Sequence, residues 1–317
     1  MIVTLTANPS LDRTITLAAA LRPGQVQAAV DAREDAGGKG LNVSRVVAAG
    51  GRETLAVLPL DERDAFAAAL RATGIPTRIV PITGSARANL AVTDPDGTTT
   101  KLNLRGVTLT AADAAAIVEA VVEASEGAAW LVLAGSLPPG LADDFYVTVI
   151  RAVRERWGDA APRIAVDTSG PALHAVVADG IPDLIKPNDE ELAELAGIDL
   201  DPSAELADAV LEVARTIVPE RSRAALVTLG AHGAVLVTAD GALVATPPRI
   251  RVRSTVGAGD SSLAGFLLAD AAGSTPEESL RNSIRYGAAA ASLPGTQAPT
   301  PADLPTGDVS VQPLNPR

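Results

Sequence analysis

Short apolar runs at residues 2–6, 130–134, 164–167, 184–186, 225–229 and 234–238 recur along the chain, most of them separated by segments of helical period, as at 111–124, 143–157, 190–196 and 205–217. An unbroken apolar run of this length reads as a strand covered on both faces, and strands spaced by helices are joined by crossovers, so they run parallel. The pattern predicts an α/β fold in three layers, αβα, with a mainly parallel central sheet. Such a sheet collects its ligands at the C-terminal ends of its strands.

Two stretches break the rhythm. Residues 12–17 match 26–34, and 88–93 match 101–104 across the turn tetrad Asp94-Pro95-Asp96-Gly97. The flanks of that turn alternate as half-exposed strands do. We expect a small β-sheet lid built discontinuously from about 12–35 and 86–106, inside one domain spanning 1–317. So small a sheet calls for a partner on its outer face, which predicts a homodimer through the lid.

Composition narrows the partners. The 47% hydrophobic share includes only 2% aromatic residues, and the net charge is -12 with the basic residues scattered among acids. Neither base stacking nor a basic face is on offer, so nucleic acid is not an expected partner. The absence of cysteine removes disulfides, thiolate metal sites and thiol nucleophiles, and two histidines, His174 and His232, do not make a usual zinc site. Any metal is expected on oxygen ligands. Met1-Ile2-Val3-Thr4-Leu5 lacks the basic start of a signal peptide, and no later run has the length of a membrane span. A cytoplasmic protein with no membrane partner is the expectation. Of 26 basic residues only Lys39, Lys101 and Lys186 are lysines, so each is a candidate for a site needing a compact ammonium.

The strongest local signal is Ser254-Thr255-Val256-Gly257-Ala258-Gly259-Asp260-Ser261, followed by an apolar helical run. Small residues entering a helix leave backbone N–H groups open to an anion, and Asp260 in that first turn is placed to take a proton from an attacking hydroxyl. A plain helix cap is the other reading of Asp260. A third dinucleotide-type glycine is missing here and no Gly-x4-Gly-Lys-Ser/Thr occurs, which removes the Rossmann and P-loop readings. Gly37-Gly38-Lys39-Gly40-Leu41-Asn42 opens another helix, where close backbone approach and the Lys39 charge suit a phosphate. Asn8-Pro9-Ser10-Leu11-Asp12 ends the first strand, with an amide and a carboxylate for sugar hydroxyls, or as a simple turn.

In this order, with Gly135-Ser136-Leu137-Pro138 and Lys186-Pro187-Asn188 followed by Glu191, these motifs resemble the PfkB (ribokinase-like) carbohydrate kinases, and most closely their phosphosugar branch. The resemblance runs to Pro294-Gly295-Thr296. It implies a ribokinase-like fold, ATP and Mg²⁺, with Asp260 as general base and the Gly257-Ala258-Gly259 amides as anion hole. It implies sugar-phosphate contacts from Asp12, Gly38, Lys39, Asn42, Arg87 and Ser136, with Lys101, Asn103 and Arg105 added from the lid. On the nucleotide side it implies Lys186, Asn188, Thr228, Gly230, Gly233, Thr255, Gly257 and Asn282, the last near adenine. Glu191, Asn188 and Asp167 are implied at Mg²⁺ through water.

Within that branch Ser254-Thr255 and Lys39 favour fructose 1-phosphate, phosphorylated at its 6-hydroxyl; fructose 6-phosphate and tagatose 6-phosphate are the alternatives. Leu104-Arg105-Gly106 departs from the usual Pro-Gly turn of the lid, and Leu58-Pro59-Leu60-Asp61 from a glycine-bearing segment, which bears on lid shape and substrate preference. A non-catalytic sugar-phosphate or nucleotide sensor is the competing class, against which Asp260 argues, since binding alone needs no carboxylate beside a phosphate nest.

Overall fold

A computed structural model of the protein describes residues 1–198 and 205–315. Its main sheet has ten strands. Reading from one edge, β5 (Thr77–Pro81), β4 (Thr54–Leu60), β1 (Ile2–Thr6), β8 (Trp130–Ala134), β9 (Arg163–Asp167), β10 (Leu184–Ile185) and β11 (Ala224–Thr228) are all parallel. β12 (Ala234–Thr238), β13 (Gly241–Thr246) and β14 (Ser310–Pro313) continue it antiparallel. The apolar runs fall on these strands to within a residue or two. The antiparallel edge beyond β12 left little signal, because Asp240-Gly241 is a tight turn between strands only a few residues long.

Each central strand feeds both faces. Leu131 and Leu133 join one apolar cluster with Val3, Leu5, Ile164 and Val166, whereas Trp130, Val132 and Ala134 join the other with Ile2 and Ala165. Helices α3 (Ala111–Ala124), α4 (Phe145–Trp157), α5 (Gly170–Ala175) and α7 (Leu206–Ala214) cover the first face, and α1 (Lys39–Ala49), α8 (Ala258–Asp270) and α9 (Pro276–Ser292) cover the second. α6 (Asp189–Ala196) adds Leu192 to the first face, and α2 (Ala65–Ala72) packs beneath the second sheet. The helices expected at 111–124 and 143–157 lie on α3 and α4; that expected at 205–217 gives way after Ala214 to turns leading to Pro219.

A second sheet of four strands stands beside the first. Its order is β3 (Ala29–Gly37), β2 (Ser10–Leu17), β6 (Arg87–Thr93) and β7 (Thr99–Asn103). The outer pairs are antiparallel, but the central pair, β2 with β6, is parallel, Ser10 lying opposite Arg87. Its base is anchored to the main sheet through Leu11, Ala36, Leu41, Leu58 and Phe66. The rest is lightly covered: every residue of β7 is exposed, and Val26, Val30, Leu102 and Leu104 present apolar side chains to solvent.

Candidate functional site

From β1 the chain winds through β4 to β5 and then returns to place β8 on the other side of β1, so the winding direction switches there and opens a crevice at the C-terminal end of β1. The start of α1 closes down on this point. Gly38 has φ +119, and a Cβ there would lie 2.5 Å from Thr6 Cγ2, so only glycine brings the chain this near the end of β1. Lys39 and Asn42, one turn apart on α1, then reach across the crevice in the same direction.

Lys39 Nζ donates to Asp167 Oδ1 at 2.7 Å, and Lys186 Nζ lies 3.2 Å from Asp167 Oδ2. Asp167 ends β9 and is wholly buried. Burial pushes its carboxyl up, but the ammonium groups of Lys186 and Lys39 outweigh that and hold it below the ordinary aspartate range. Burial in turn works against the charge of Lys39, yet Asp167, Asp260 and Glu191 keep its ammonium above the ordinary lysine value. Asp167 is therefore the counter-ion of two lysines. Both carboxylate oxygens thus face an ammonium group.

Asp260 lies in the first turn of α8 and is 7% exposed. Asn42 Nδ2 donates to its Oδ2 at 2.8 Å. Burial, helped by the charge of Asp167, raises the Asp260 carboxyl to about 6, against the pull of Lys39, Asn42 and Lys186. Gly257 caps α8 in the left-handed region, φ +74, which turns the loop from Thr255 so that the first-turn amides open toward the crevice. The Ala258 N–H makes only a long 3.4 Å contact with the Thr255 carbonyl. A Cβ on Gly259 would lie 3.4 Å from Lys186 Nζ, so that ammonium sits against the same turn. A buried carboxylate, an ammonium and a set of amides thus surround one small volume, which is the equipment for moving a proton while negative charge builds on a neighbouring oxyanion.

The second sheet supplies the opposite wall. Asp12 Oδ1 accepts from Ser10 Oγ and Asn89 Nδ2, both at 2.8 Å. Burial raises the Asp12 carboxyl despite these bonds and the nearby Arg87. Arg87 Nε and Asn89 Oδ1 are buried without a hydrogen-bond partner, and burial lowers the Arg87 guanidinium from its usual value. Ser136, just after β8, accepts Asn8 Nδ2 at 3.3 Å. Asn89 was not among the sequence candidates, although the signal was there: Arg87 and Asn89 are two apart on one strand and so share a face. Asn103 is paired with Asn89 and Lys101 with Ala91, on the face that carries Arg87; Lys101, Asn103 and Arg105 are all exposed.

Beyond Lys186, Asn188 caps α6 in a reciprocal box, Asn188 Oδ1 accepting the Glu191 N–H at 2.7 Å and Glu191 Oε2 accepting the Asn188 N–H at 2.9 Å. Thr228 pairs with Asn188 in an isolated bridge, and Gly230 and Gly233 bracket the turn from β11 to β12 beside it. Asn282 is not brought to this group. Its Nδ2 donates to the Gly265 carbonyl at 2.6 Å, well along α8, while it is Gly287, more than a turn further on in α9, that packs against Ala258. That bond ties α9 to α8.

The pfkB family carbohydrate kinase model matches residues 5–303. The chain belongs to the PfkB family. It is 34% identical over 311 residues to the 1-phosphofructokinase of Rhodobacter capsulatus, covering 96% of this chain and 94% of that protein. It is 30% identical to the ATP-dependent 6-phosphofructokinase isozyme 2 of Escherichia coli K12, covering 93% and 94%. A crystal structure of phosphofructokinase-2 from Escherichia coli in complex with potassium superposes with a TM-score of 0.86 at 30% identity, covering 95% of this chain and 96% of the other. This PfkB chain is an ATP-dependent sugar-phosphate kinase, and its two-sheet architecture is the ribokinase-like fold of the family.

Proposed function

We propose that the protein transfers the γ-phosphoryl group of ATP to the 6-hydroxyl of fructose 1-phosphate, giving fructose 1,6-bisphosphate and ADP, in the cytoplasm. The observation that carries the catalytic part is Asp260, buried, bonded to Asn42, raised to about 6 and set among the first-turn amides of α8. Such a carboxylate is ionised at neutral pH and still basic enough to draw a proton from an attacking hydroxyl. In the step, the 6-oxygen bonds to the γ-phosphorus in line with the bond to ADP, which breaks and leaves its electron pair on the ADP oxygen; the hydroxyl proton passes to Asp260. The amides of Gly257, Ala258 and Gly259, with Lys186, receive the charge on the equatorial oxygens.

Asp12, Gly38, Asn42, Arg87 and Ser136 hold the sugar phosphate, with Asn89 fixing Asp12, and two of the three Lys39 protons remain for a phosphate oxygen after Asp167 has taken one. Lys101, Asn103 and Arg105 approach from the rim as a lid closes. Lys186, Thr228, Gly230, Gly233 and Thr255 border the nucleotide. Mg²⁺, when bound, neutralises the phosphates. Glu191 and Asn188 would hold it through water, Glu191 Oε1 lying outside the capping box. The apolar outer face at Val26, Val30, Leu102 and Leu104 supports a homodimer in which two lids cover one another.

Relatives at 34% and 30% identity carry the names of two different phosphofructokinases, so fructose 6-phosphate is the second reading. Steady-state assays with ATP and Mg²⁺ on fructose 1-phosphate, fructose 6-phosphate and tagatose 6-phosphate separate them. The highest kcat/KM is expected for fructose 1-phosphate, and a higher value for either competitor overturns the assignment.

A further inference from the structure

At the far ends of α1 and α8 the surface opens into a cavity of about 550 Å³, lined by Gly50, Arg52, Arg281, Asn282 and Arg285 among others. This volume falls in the range of sites that take metabolite-sized ligands. Asp260 stands in the first turn of α8 and the lining residues Leu268, Ala269 and Ala272 lie 8 to 12 positions on, so at 1.5 Å per residue the cavity is about 12–18 Å away, past the other end of the same helix. It is therefore separate from the catalytic crevice.

The charge in it runs against the rest of the molecule. In a chain of net charge -12, three arginines converge here on one carboxylate, Glu278. Glu278 does not neutralise them freely, because its Oε2 accepts the N–H and hydroxyl of Thr275 at the start of α9. Arg52 spends one Nη on the Ala271 carbonyl, which offsets the negative end of α8, and Arg281 spends its two on the Val309 carbonyl and Glu277. Arg285 makes no ion pair and no side-chain hydrogen bond among the described residues. Arg52 Nε and Arg285 Nε are both buried without a partner. Buried donors left unmatched are costly, and charged ones more so. Arginines lining an open cavity, Arg285 with no side-chain partner among the described residues, can offer their remaining N–H groups to the paired oxygens of a phosphate or carboxylate.

We infer that the cavity between Arg52, Arg281 and Arg285 is a binding site for a small polyanionic metabolite, held by guanidinium–oxyanion bonds and distinct from the catalytic crevice. The test is hydrogen exchange followed by mass spectrometry on the full chain, with pyrophosphate and citrate as probes of the two oxyanion types. Protection at residues 268–286 by either probe is expected, in addition to any protection near residues 38–42 and 254–260. Pyrophosphate alone assigns a phosphate-bearing ligand, citrate alone a polycarboxylate, and both the oxyanion class as a whole. Arg285→Gln and Arg52→Gln should each weaken the half-saturating probe concentration at 268–286 by roughly tenfold or more, as loss of a charge-assisted bond implies. Protection confined to the crevice in the wild-type protein overturns the inference without reliance on any variant. So does protection at 268–286 that Arg285→Gln and Arg52→Gln leave unchanged.

Discussion

Replacing Asp260 by asparagine should make the protein more stable and nearly inactive, and the stability gain should depend on pH in a defined way. The ordinary aspartate value is 3.8, and in the folded protein burial lifts Asp260 to about 6. Below pH 3.8 both folded and unfolded chains hold the proton. Between 3.8 and 6 the folded state keeps a proton that the unfolded chain has released, so stability falls as pH rises through this window, and above 6 the whole penalty is present. Roughly two units at about 1.4 kcal/mol each put that penalty near 3 kcal/mol. Asparagine matches the neutral acid in shape and still accepts from Asn42 Nδ2, so it escapes the penalty. Urea denaturation of wild type and Asp260→Asn from pH 4 to 8 should show a gap that opens with rising pH to about 3 kcal/mol, at equal m. The same substitution should lower kcat by roughly two or more orders of magnitude. A variant no more stable than wild type at pH 8, or a gap independent of pH, refutes the electrostatic argument; near-wild-type turnover refutes the assignment of the base.

Lys39→Ala should raise KM for the sugar phosphate by roughly tenfold to a hundredfold with little change in KM for ATP, because the lost ammonium bond is one of the charge-assisted kind; the reverse pattern would move Lys39 to the nucleotide. Glu191→Gln should shift the Mg²⁺ dependence of the rate while the Asn188 cap persists through the glutamine oxygen, and an unchanged Mg²⁺ titration counts against Glu191 at the ion. Val30→Asp combined with Leu102→Asp should convert a dimer, read by light scattering at micromolar concentration, into monomers; a wild-type monomer under those conditions removes the lid interface.

Much of the layout was legible because its signals are local. The apolar runs, the Asp94–Gly97 turn and the small-residue approach to Asp260 each declare themselves within a dozen residues. What could not be read was the bonding between distant groups. Lys39 and Asp167 are 128 positions apart and meet only because β1 and β9 both flank β8 in one sheet. A strand-end aspartate looks the same whether it faces a metal, a sugar or two lysines, so the two lysine partners of Asp167 were not legible. The partner of Asn282 was hidden for a related reason: helical position gives direction around an axis, whereas that partner, the Gly265 carbonyl, is set by how closely α9 packs on α8. Asn89 was missed although period-two logic reaches it from Arg87.

The parallel pairing of β2 with β6 sets an order of assembly. The β2–β3 and β6–β7 pairs are hairpins that can form locally, but Ser10 meets Arg87 only across a chain that includes α1, β4, α2 and β5, so the two halves of the small sheet join last. A hairpin forms early because its loop is short; this pairing closes a loop of more than seventy residues and waits for the main sheet to hold its ends together. The element that forms late and rests on few buried side chains is also the one that opens most easily in the native state. Local opening of this sheet would expose the Asp12 wall of the crevice while the ten-stranded sheet, with Asp167 and Asp260 fixed to it, stays folded. Opening confined to that sheet would leave α8, which carries Asp260, and β9, which carries Asp167, in place.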